Sequence, residues 1–258
     1  MTDADSVAPP TTDACGVGLS SSAGRAIIAA AVLGSALAYM SDDMLNVALP
    51  TVSTDLAVGV TEMQWVVNGY FVTMLSLMLT AGSIGDIKGH RKMFLGGLAV
   101  FSSGAVVCAI APSVSLLVAG RAIQGVGAAF LLASGLALVN GSFSDDERGR
   151  AVGTYMGLTA VSTAVGPALG GLLVDVLSWR AIFVAPLVFP LAASVVTLRW
   201  VPETPVVGDR HPDTKGAGLA LLTIASFSFA LIRGPGAWLR PETLIAIVLA
   251  TLGGVVFI

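Results

Sequence analysis

A short charged segment, residues 82–92, separates two long apolar runs of the chain. It reads Gly-Ser-Ile-Gly-Asp-Ile-Lys-Gly-His-Arg-Lys, and the flanking runs cover roughly residues 62–84 and 93–111. Each run has about the 20 residues that a helix needs to cross the hydrocarbon core of a bilayer. Because Lys and Arg concentrate in the cytoplasmic loops of membrane proteins, the segment predicts a helical hairpin whose turn lies in the cytoplasm.

Composition extends this interpretation to the whole chain. Hydrophobic residues make up 55% of the 258 residues and charged residues only 11%, whereas about a quarter of the residues of a soluble domain are charged. The mean hydropathy of +0.88 requires many apolar segments rather than one buried core. Since helices satisfy their own backbone hydrogen bonds in lipid, the sequence predicts an all-α polytopic membrane protein with the lipid bilayer as a partner.

Several classes of function find no support in the sequence. No basic stripe with interleaved aromatic residues is present, so we expect no nucleic-acid partner. Cys15 and Cys108 are isolated in the sequence, a pattern that supports neither a disulfide framework nor a metal site. The sequence also lacks a nucleophile–base set, a metal-ligand cluster and a phosphate-binding loop, so it predicts neither an enzyme nor a bound cofactor.

The apolar runs predict eight helices, the first of which ends at Pro50. Their approximate ranges are 26–49, 62–84, 93–111, 116–139, 150–174, 179–201, 216–232 and 243–258. Trp65 and Tyr70 are predicted to be interfacial anchors near the outer end of the second helix. The last run is shorter than the roughly 20 residues of a full span, so we expect the chain to be truncated within this helix.

The distribution of basic residues predicts the orientation of these helices. With the N-terminus in the cytoplasm, nine basic residues fall in cytoplasmic segments: Arg25, Lys88, Arg91, Lys92, Arg148, Arg150, Arg199, Arg210 and Lys215. Outer loops hold three, Arg180, Arg233 and Arg240, and Arg121 lies within a helix, which accounts for all thirteen Lys and Arg residues. The positive-inside rule therefore predicts a cytoplasmic N-terminus.

Three charged residues lie more than one turn inside the predicted helices, namely Asp42, Asp43 and Arg121. A charge in hydrocarbon costs about 2.5–3.5 kcal/mol on insertion scales, so such residues usually pair or face an aqueous cavity. At about 1.5 Å per residue both sites lie roughly 8–12 Å below the outer surface, a depth that allows an ion pair between helices one and four. Snorkelling of each side chain to the interface is the alternative, and the choice between the aspartates, about 100° apart on the helix, stays open.

The glycines that follow Arg121 indicate close helix packing. Gln124, Gly125 and Gly127 lie within six positions of this arginine. A dinucleotide site would require a third glycine and a preceding strand, and the sequence offers neither. Small residues instead allow the backbone of helix four to approach a neighbouring helix.

Helix five carries small residues four positions apart, Gly153 with Gly157 and Gly166 with Gly170. Such pairs leave one helix face bare for a neighbouring helix. Pro167 removes a backbone hydrogen bond and bends the helix, which neighbouring helices make tolerable in a membrane. Tight packing alone and a role in transport explain this pattern equally well.

Together these stretches resemble motifs of the major facilitator superfamily, and within it of the fourteen-helix drug/proton antiporters. The segment 82–92, which also contains Gly85, Lys88 and Lys92, is similar to the family's loop between helices two and three through Gly82, Asp86, Gly89 and Arg91. The helix-four motif is matched by Arg121, Gln124, Gly125 and Gly127, and the antiporter motif of helix five by Gly153, Gly166, Pro167, Gly170 and Gly171. The Asn46–Pro50 stretch and the step Trp179-Arg180-x-x-Phe183 also fit.

The chain departs from the family pattern at four positions. Ile87 and His90 stand where the family has two cations in the segment 82–92, here called the central segment. Lys88 in the same segment is a candidate to compensate for the lost positive charge. Ser162 replaces a glycine of helix five. Ser41 stands where the family has an acidic residue five positions before Asn46, so Asp42 or Asp43 is expected to substitute.

The resemblance implies a fold with two six-helix bundles that rock around a central cavity. In this chain it predicts a disordered cytoplasmic leader (1–25), an N-terminal bundle of two inverted three-helix repeats (26–201), a cytoplasmic linker (202–215) and two linking transmembrane helices (216–258), the last truncated. The second bundle would lie outside this sequence, so the chain would enclose half of a cavity.

The resemblance also implies a function: proton-coupled efflux of small amphipathic compounds, such as drugs or antibiotics, across a bacterial plasma membrane. Arg121 is implicated in proton coupling, with Asp42 or Asp43 as its partner. The central segment would latch the inner gate, and the helix-five motif would seal one face. A specific metabolite exporter or uptake carrier, and a non-transporting half-bundle protein, are the alternatives; the substrate and the oligomeric state do not follow from the sequence.

Overall fold

The computed structural model describes residues 17–202, 214–233 and 240–257, which fold almost entirely into helices. The helices are α1 (Ser22–Asp55), α2 (Val60–Lys88), α3 (His90–Ala109), α4 (Val114–Ser142), α5 (Asp145–Val176), α6 (Ala181–Val184), α7 (Val188–Trp200), α8 (Thr214–Arg233) and α9 (Pro241–Phe257). A 3-10 turn, Ala185–Leu187, joins α6 to α7. These described ranges contain no β-strand, in agreement with the predicted all-α class.

Six helical stretches are long and apolar enough to cross a membrane. They are α1 to α5 and the stretch Ala181–Trp200, in which α6, the 3-10 turn and α7 together form the predicted sixth helix. The predicted all-α membrane fold with six such helices is therefore confirmed. Shorter apolar stretches, Gly218–Arg233 and Pro241–Val255, lie in α8 and α9, and their role as linking helices stays a prediction.

Helix α1 is longer than predicted at both ends. The Ser21 hydroxyl accepts a hydrogen bond from the Gly24 amide at 3.0 Å, so the helix begins at Ser22, within the segment predicted to be a disordered leader. The prediction that the helix ends at Pro50 is also wrong, since it continues to Asp55. A proline removes one backbone hydrogen bond without necessarily ending a membrane helix, because neighbouring groups can satisfy the freed carbonyl.

The predicted disorder of residues 1–25 is wrong for the part that the structure describes. The Val17 amide donates to the Ser142 carbonyl at 2.9 Å, and the Leu19 amide donates to the Glu147 carboxylate at 2.6 Å. Residues 1–16, most of the predicted linker 202–215 and the Gly-Pro-Gly sequence at 234–236 lie outside the described residues.

The charged segment 82–92 is a sharp break between two helices rather than a loop. Helix α2 continues through Lys88 and α3 begins at His90, so only Gly89 interrupts the helical path. Gly89 has φ 91° and ψ 128°, a conformation that a residue with a Cβ adopts only at a cost. At Gly85 a side chain would collide with the His90 ring, so this glycine allows the two helix ends to meet.

Helix α4 lies at the centre of the bundle and packs closely on α2 and α3. The approach depends on glycines, as the sequence predicts. A methyl group at Gly127 would lie 2.5 Å from the backbone nitrogen of Phe101 in α3, and one at Gly125 would collide with the Tyr70 carbonyl in α2. Helix α1 completes the core by packing on α4, α5 and α7.

We expect glycine-to-alanine substitutions to separate these tight contacts from open helix positions. Gly127→Ala should lower the free energy of unfolding by about 1–3 kcal/mol, because overpacking against the rigid backbone of Phe101 forces the helices apart. Gly96→Ala in α3 is the matched control, since among the described residues no atom of another element lies within 4 Å of its added methyl group; it should be neutral or stabilising by up to about 1 kcal/mol. Thermal unfolding of the two purified variants measures the difference, and equal stabilities would contradict the packing described here.

Candidate functional site

The centre of the candidate site is the side chain of Arg121, which is fully buried. Its Nη2 donates to Asp42 Oδ1 of α1 at 2.8 Å, and its Nε donates to the Val66 carbonyl of α2 at 3.4 Å. Its Nη1 donates to Gln124 Oε1, one turn further along α4, at 3.1 Å. The guanidinium thus joins three helices and has a charged partner, as a buried cation requires.

Aromatic and polar side chains complete the surroundings of the guanidinium. The Arg121 Cζ lies 4.2 Å from the centroid of the Tyr70 ring, within the range of a cation–π interaction. The Tyr70 hydroxyl donates to the Ala38 carbonyl at 3.0 Å. Tyr70 is 2% exposed, so its prediction as an interfacial anchor is wrong: the ring lies over the guanidinium instead.

Gln124 extends the polar cluster towards α1 and α3. Its Nε2 donates to Ser41 Oγ at 3.5 Å, and the Cys108 thiol donates to its Oε1 at 3.6 Å. Sequence reasoning noted Ser41 only as a departure from the family pattern and left Cys108 without a role. Neither residue type marks a site by itself, so only the packing of α1 and α3 on α4 reveals these contacts.

The two adjacent aspartates of α1 lie in different environments. The side chain of Asp42 is 13% exposed where it meets Arg121, and Asn46 Nδ2 donates to its Oδ2 at 3.4 Å. Asp43 lies against α5, where a methyl group at Gly166 would be 3.0 Å from the Asp43 Cβ. The Asp43 Oδ2 atom is buried and has no hydrogen-bond partner among the described residues. The structure therefore brings Asp42 to Arg121 and leaves Asp43 at the α1–α5 interface.

The central segment connects α2 and α3 to the end of α7. Asp86 and His90 are in contact at 3.1 Å across the break at Gly89. Arg91 donates to the carbonyls of Thr197 at 3.3 Å and Leu198 at 2.9 Å. Of the other predicted members of this segment, Gly85 is buried, Gly82 is partly buried, and Lys88 and Lys92 are exposed.

Only part of the helix-five motif meets another helix. Gly166 and Gly170 lie against α1, where methyl groups would approach Met40, Asp43 and Met44. A methyl group at Gly171 would lie 3.9 Å from Val47, an ordinary contact, and Pro167 is exposed. Methyl groups at Gly153 and Gly157 would meet no atom of another described element within 4 Å, so this half of the small-residue face is open among the described residues.

A second polar cluster joins the ends of α1, α3 and α6. The Trp179 indole N–H donates to Asp55 Oδ2 at 2.8 Å, and Arg180 Nη1 donates to the same oxygen at 3.0 Å. Arg180 Nη2 donates to the Ala111 carbonyl at 3.2 Å. The Trp-Arg step in the sequence indicated these two residues, whereas nothing in the sequence indicated Asp55 as their partner.

Comparison with known proteins identifies the family. Residues 31–258 match the model of the Major Facilitator Superfamily, which is nearly the whole chain. The chain belongs to this superfamily. It is 33% identical to the multidrug resistance protein Stp of Mycobacterium tuberculosis over 228 residues, which cover 88% of this chain and 42% of Stp. It is also 33% identical to the methylenomycin A resistance protein of Bacillus subtilis, over 92% of this chain and 51% of that protein.

The fold comparison agrees with the family. A crystal structure of the peptide transporter POT in complex with sulfate matches with a TM-score of 0.67 and 17% identity, over 91% of this chain and 52% of POT. At this identity the match bears on the fold alone. The chain is thus a multi-pass membrane protein of a transporter family rather than an enzyme, and it spans about half the length of the curated relatives it matches.

A double-mutant cycle should measure the coupling between Arg121 and Asp42. We expect Arg121→Gln alone to lower the free energy of unfolding by about 3–5 kcal/mol, because it leaves the mostly buried Asp42 carboxylate without a cation. Arg121→Gln combined with Asp42→Asn should recover most of this loss, since no unpaired charge remains. Denaturation of the variants in detergent micelles gives the coupling free energy.

Arg180→Gln is the control for this cycle, because Arg180 also pairs with an aspartate of α1, but at a more exposed position. Its loss of stability should be much smaller, as expected for a solvated ion pair. The pairing would be contradicted if the loss of unfolding free energy in the double variant equalled the sum of the losses in Arg121→Gln and Asp42→Asn.

Proposed function

We propose that this protein takes part in proton-coupled efflux of small amphipathic compounds. The observation that carries the proposal is the buried contact between Arg121 and Asp42, 2.8 Å apart, which joins α4 to α1. Burying a pair of charged side chains inside a membrane helix bundle costs desolvation energy. Charged residues at such positions commonly mark a proton or substrate pathway. The proposed location is a bacterial plasma membrane, with the N-terminus in the cytoplasm.

The coupling step in this proposal is a change of protonation at Asp42. A guanidinium offers no acceptor for a further proton, so a proton that arrives at the site binds the Asp42 carboxylate. Protonation of Asp42 removes its charge and weakens its bond to Arg121, which frees the guanidinium to contact other groups. Tyr70 and Gln124, which touch Arg121 in this state, would hold the guanidinium while α1 moves.

Asp43 serves as a second proton-binding carboxylate in this proposal. Its buried oxygen has no hydrogen-bond donor among the described residues, an arrangement that favours a neutral acid over a carboxylate. The charged group nearest to it along α1 is Asp42, and the facing part of α5 presents Gly166. Protonation of Asp43 would therefore favour the close packing of α1 on α5.

The remaining predicted site residues are assigned roles in gating. Arg91 ties the start of α3 to the last carbonyls of α7, which suits a latch at the inner end of the bundle. Gly166 and Gly170 hold α5 against α1, and the open face at Gly153 and Gly157 is the part that would meet a second bundle. The proposed domain division is a bundle from α1 to α7 followed by α8 and α9 as the linking pair.

The relatives support export, and one of them supports a second candidate. The matched relatives include the drug efflux pump JefA of Mycobacterium tuberculosis, at 32% identity over 82% of this chain. They also include the riboflavin transporter RibZ of Clostridioides difficile, at 28% identity over 73% of this chain. A carrier that is specific for one metabolite is therefore the alternative to a multidrug exporter.

We expect Arg121→Ala to abolish proton-coupled efflux and leave membrane insertion intact, because the substitution removes the cation that responds to Asp42. The measurement is the accumulation of ethidium in cells that express the complete reading frame, with and without an uncoupler. For the unmodified protein the uncoupler should raise accumulation; a proton-driven importer would show the opposite sign. Arg240→Ala, which removes an exposed arginine, is the control and should retain efflux. Normal efflux by Arg121→Ala would reject the role of the buried pair.

We expect Asp43→Asn to separate coupling from transport itself. The asparagine imitates a protonated aspartate, so transport down the substrate's own gradient should persist, whereas transport driven by an imposed pH gradient should be lost. Flux into proteoliposomes under the two conditions gives the comparison. Asp175→Asn in α5, an exposed aspartate, should retain both activities. Unchanged pH-driven transport by Asp43→Asn would exclude this residue from coupling.

A further inference from the structure

Helix α5 brings hydroxyl groups, and no charged group, to its contact with α1. Between residues 151 and 174 it has no charged side chain. Its hydroxyl-bearing residues there are Thr154, Tyr155, Thr159, Ser162 and Thr163. In the described part of the chain α5 packs mainly on α1, and at about 100° per residue Tyr155, Thr159 and Gly166 lie within about 40° of one another on α5. Tyr155 and Gly166 both contact α1, so the buried Thr159 between them faces α1 as well.

Thr159 differs from the other serine and threonine residues of α5. The hydroxyls of Thr154, Ser162 and Thr163 each donate to the carbonyl four residues earlier in the helix, at 2.8–3.0 Å. Such local bonds satisfy a hydroxyl without help from another helix. The Thr159 Oγ1 atom is buried and has no hydrogen-bond partner among the described residues. Because a buried polar atom without a partner costs free energy, this atom indicates that a further polar group binds here.

A second buried oxygen without a partner lies further along the same interface. It is Oδ2 of Asp43, whose Cβ would lie 3.0 Å from a methyl group at Gly166. The nearest charged group along α1 is Asp42, which is already bonded to Arg121. Polar atoms of two facing helices thus lack partners on both sides of the interface, and buried water commonly satisfies such groups.

Two hydroxyls that bond to each other lie at the other end of this line. Ser35 Oγ and the Tyr155 hydroxyl are 2.7 Å apart, and both residues are buried. The pair has two O–H protons and uses one of them in the mutual bond, so one remains for a further partner. Tyr39 follows Ser35 by one turn of α1 and is 43% exposed. The pair therefore lies close to the surface of the described bundle.

The spacing of these groups suits bridging by water. The two helices run in the same direction, because Tyr155 meets Ser35 and Gly166 meets Asp43. Eight residues of α1 separate Ser35 from Asp43, which is about 12 Å along the helix. Thr159 lies one turn beyond Tyr155, about 6 Å along α5, and so divides this length. A water that bonds to two groups spans about 5–6 Å between them.

We propose a water-bridged proton relay between α1 and α5 that ends at the buried oxygen of Asp43. Its members are the hydroxyls of Thr159, Tyr155 and Ser35, and it opens to the bundle surface beside Tyr39. In one transfer, protonated Asp43 gives its proton to the adjacent water, and each hydroxyl accepts one proton while it releases its own. One proton leaves at the surface, Asp43 is left as a carboxylate, and no hydroxyl changes its charge. The relay rests on the proposed function, in which Asp43 exchanges protons during efflux.

Thr159→Val in the complete protein tests the relay, because valine keeps the shape of threonine and removes the hydroxyl. In proteoliposomes, ethidium transport driven by an imposed pH gradient should fall about ten-fold, the effect of one lost hydrogen bond on the transfer. Ethidium exchange at equal concentrations on both sides requires no net proton movement and should be unchanged. Thr159→Ser, which keeps the hydroxyl, should restore the pH-driven rate.

Thr163→Val is the matched control, since this hydroxyl is one turn away and already bonds to its own helix. It should retain both kinds of transport. If Thr159 only supported the packing of α5, Thr159→Val would lower pH-driven transport and exchange together, or neither.

Infrared spectroscopy tests the hydrogen bonding of Asp43 without any transport. The carbonyl stretching band of protonated Asp43 is identified by its loss in Asp43→Asn. Thr159→Val should move this band to higher frequency, because the carboxyl group loses a hydrogen bond, whereas Thr163→Val should leave it in place.

Three results would overturn the relay: normal pH-driven transport by Thr159→Val, an equal loss of both kinds of transport, or an unchanged carbonyl band. Failure of the proposed function has a different sign, since the unmodified protein would then show no pH-driven transport at all. In that case the infrared comparison still decides whether Thr159 is linked to Asp43.

Discussion

The burial of one guanidinium organises the core of this protein. Arg121 has no exposed surface, and a charge that is removed from water must find partners that replace its hydration. Its partners come from three helices, with a carboxylate from α1, a carbonyl from α2 and an amide from α4 itself. The positions of α1 and α2 relative to α4 are therefore constrained by a single side chain, and a change in its charge balance acts on all three helices.

Close backbone packing makes this arrangement possible. Gly125 and Gly127 allow α4 to approach α2 and α3 so closely that methyl groups at these positions would collide with the neighbouring backbone. Because the helices are this close, the Tyr70 ring can lie over the guanidinium and Gln124 can reach α1 and α3. The arrangement requires both features: the glycines bring the helix backbones together, and the buried arginine gives them polar partners.

Two further arginines tie α3 and the broken helix α6–α7 together at opposite ends. Arg91, at the start of α3, donates to the last carbonyls of α7, and Arg180, just before α6, donates to the Ala111 carbonyl beyond the end of α3. The carbonyls at a helix C-terminus carry partial negative charge, so a cation is favoured there. The two contacts are reciprocal, because each arginine lies at the start of one of these helical stretches and reaches the end of the other.

The sequence by itself determined the class of the protein and the ingredients of its site. Apolar runs of membrane-spanning length predict the six long helices, and the motifs around Asp86, Arg121 and Gly166 predict the family. Only the tertiary structure decided which aspartate meets Arg121, that Tyr70 is buried over it, and that Asp43 lies against α5. Neighbouring residues on a helix point about 100° apart, so these contacts depend on how α1 and α2 are rotated in the bundle. That rotation is set by packing against α4 and α5, which no local pattern of residues in either helix records.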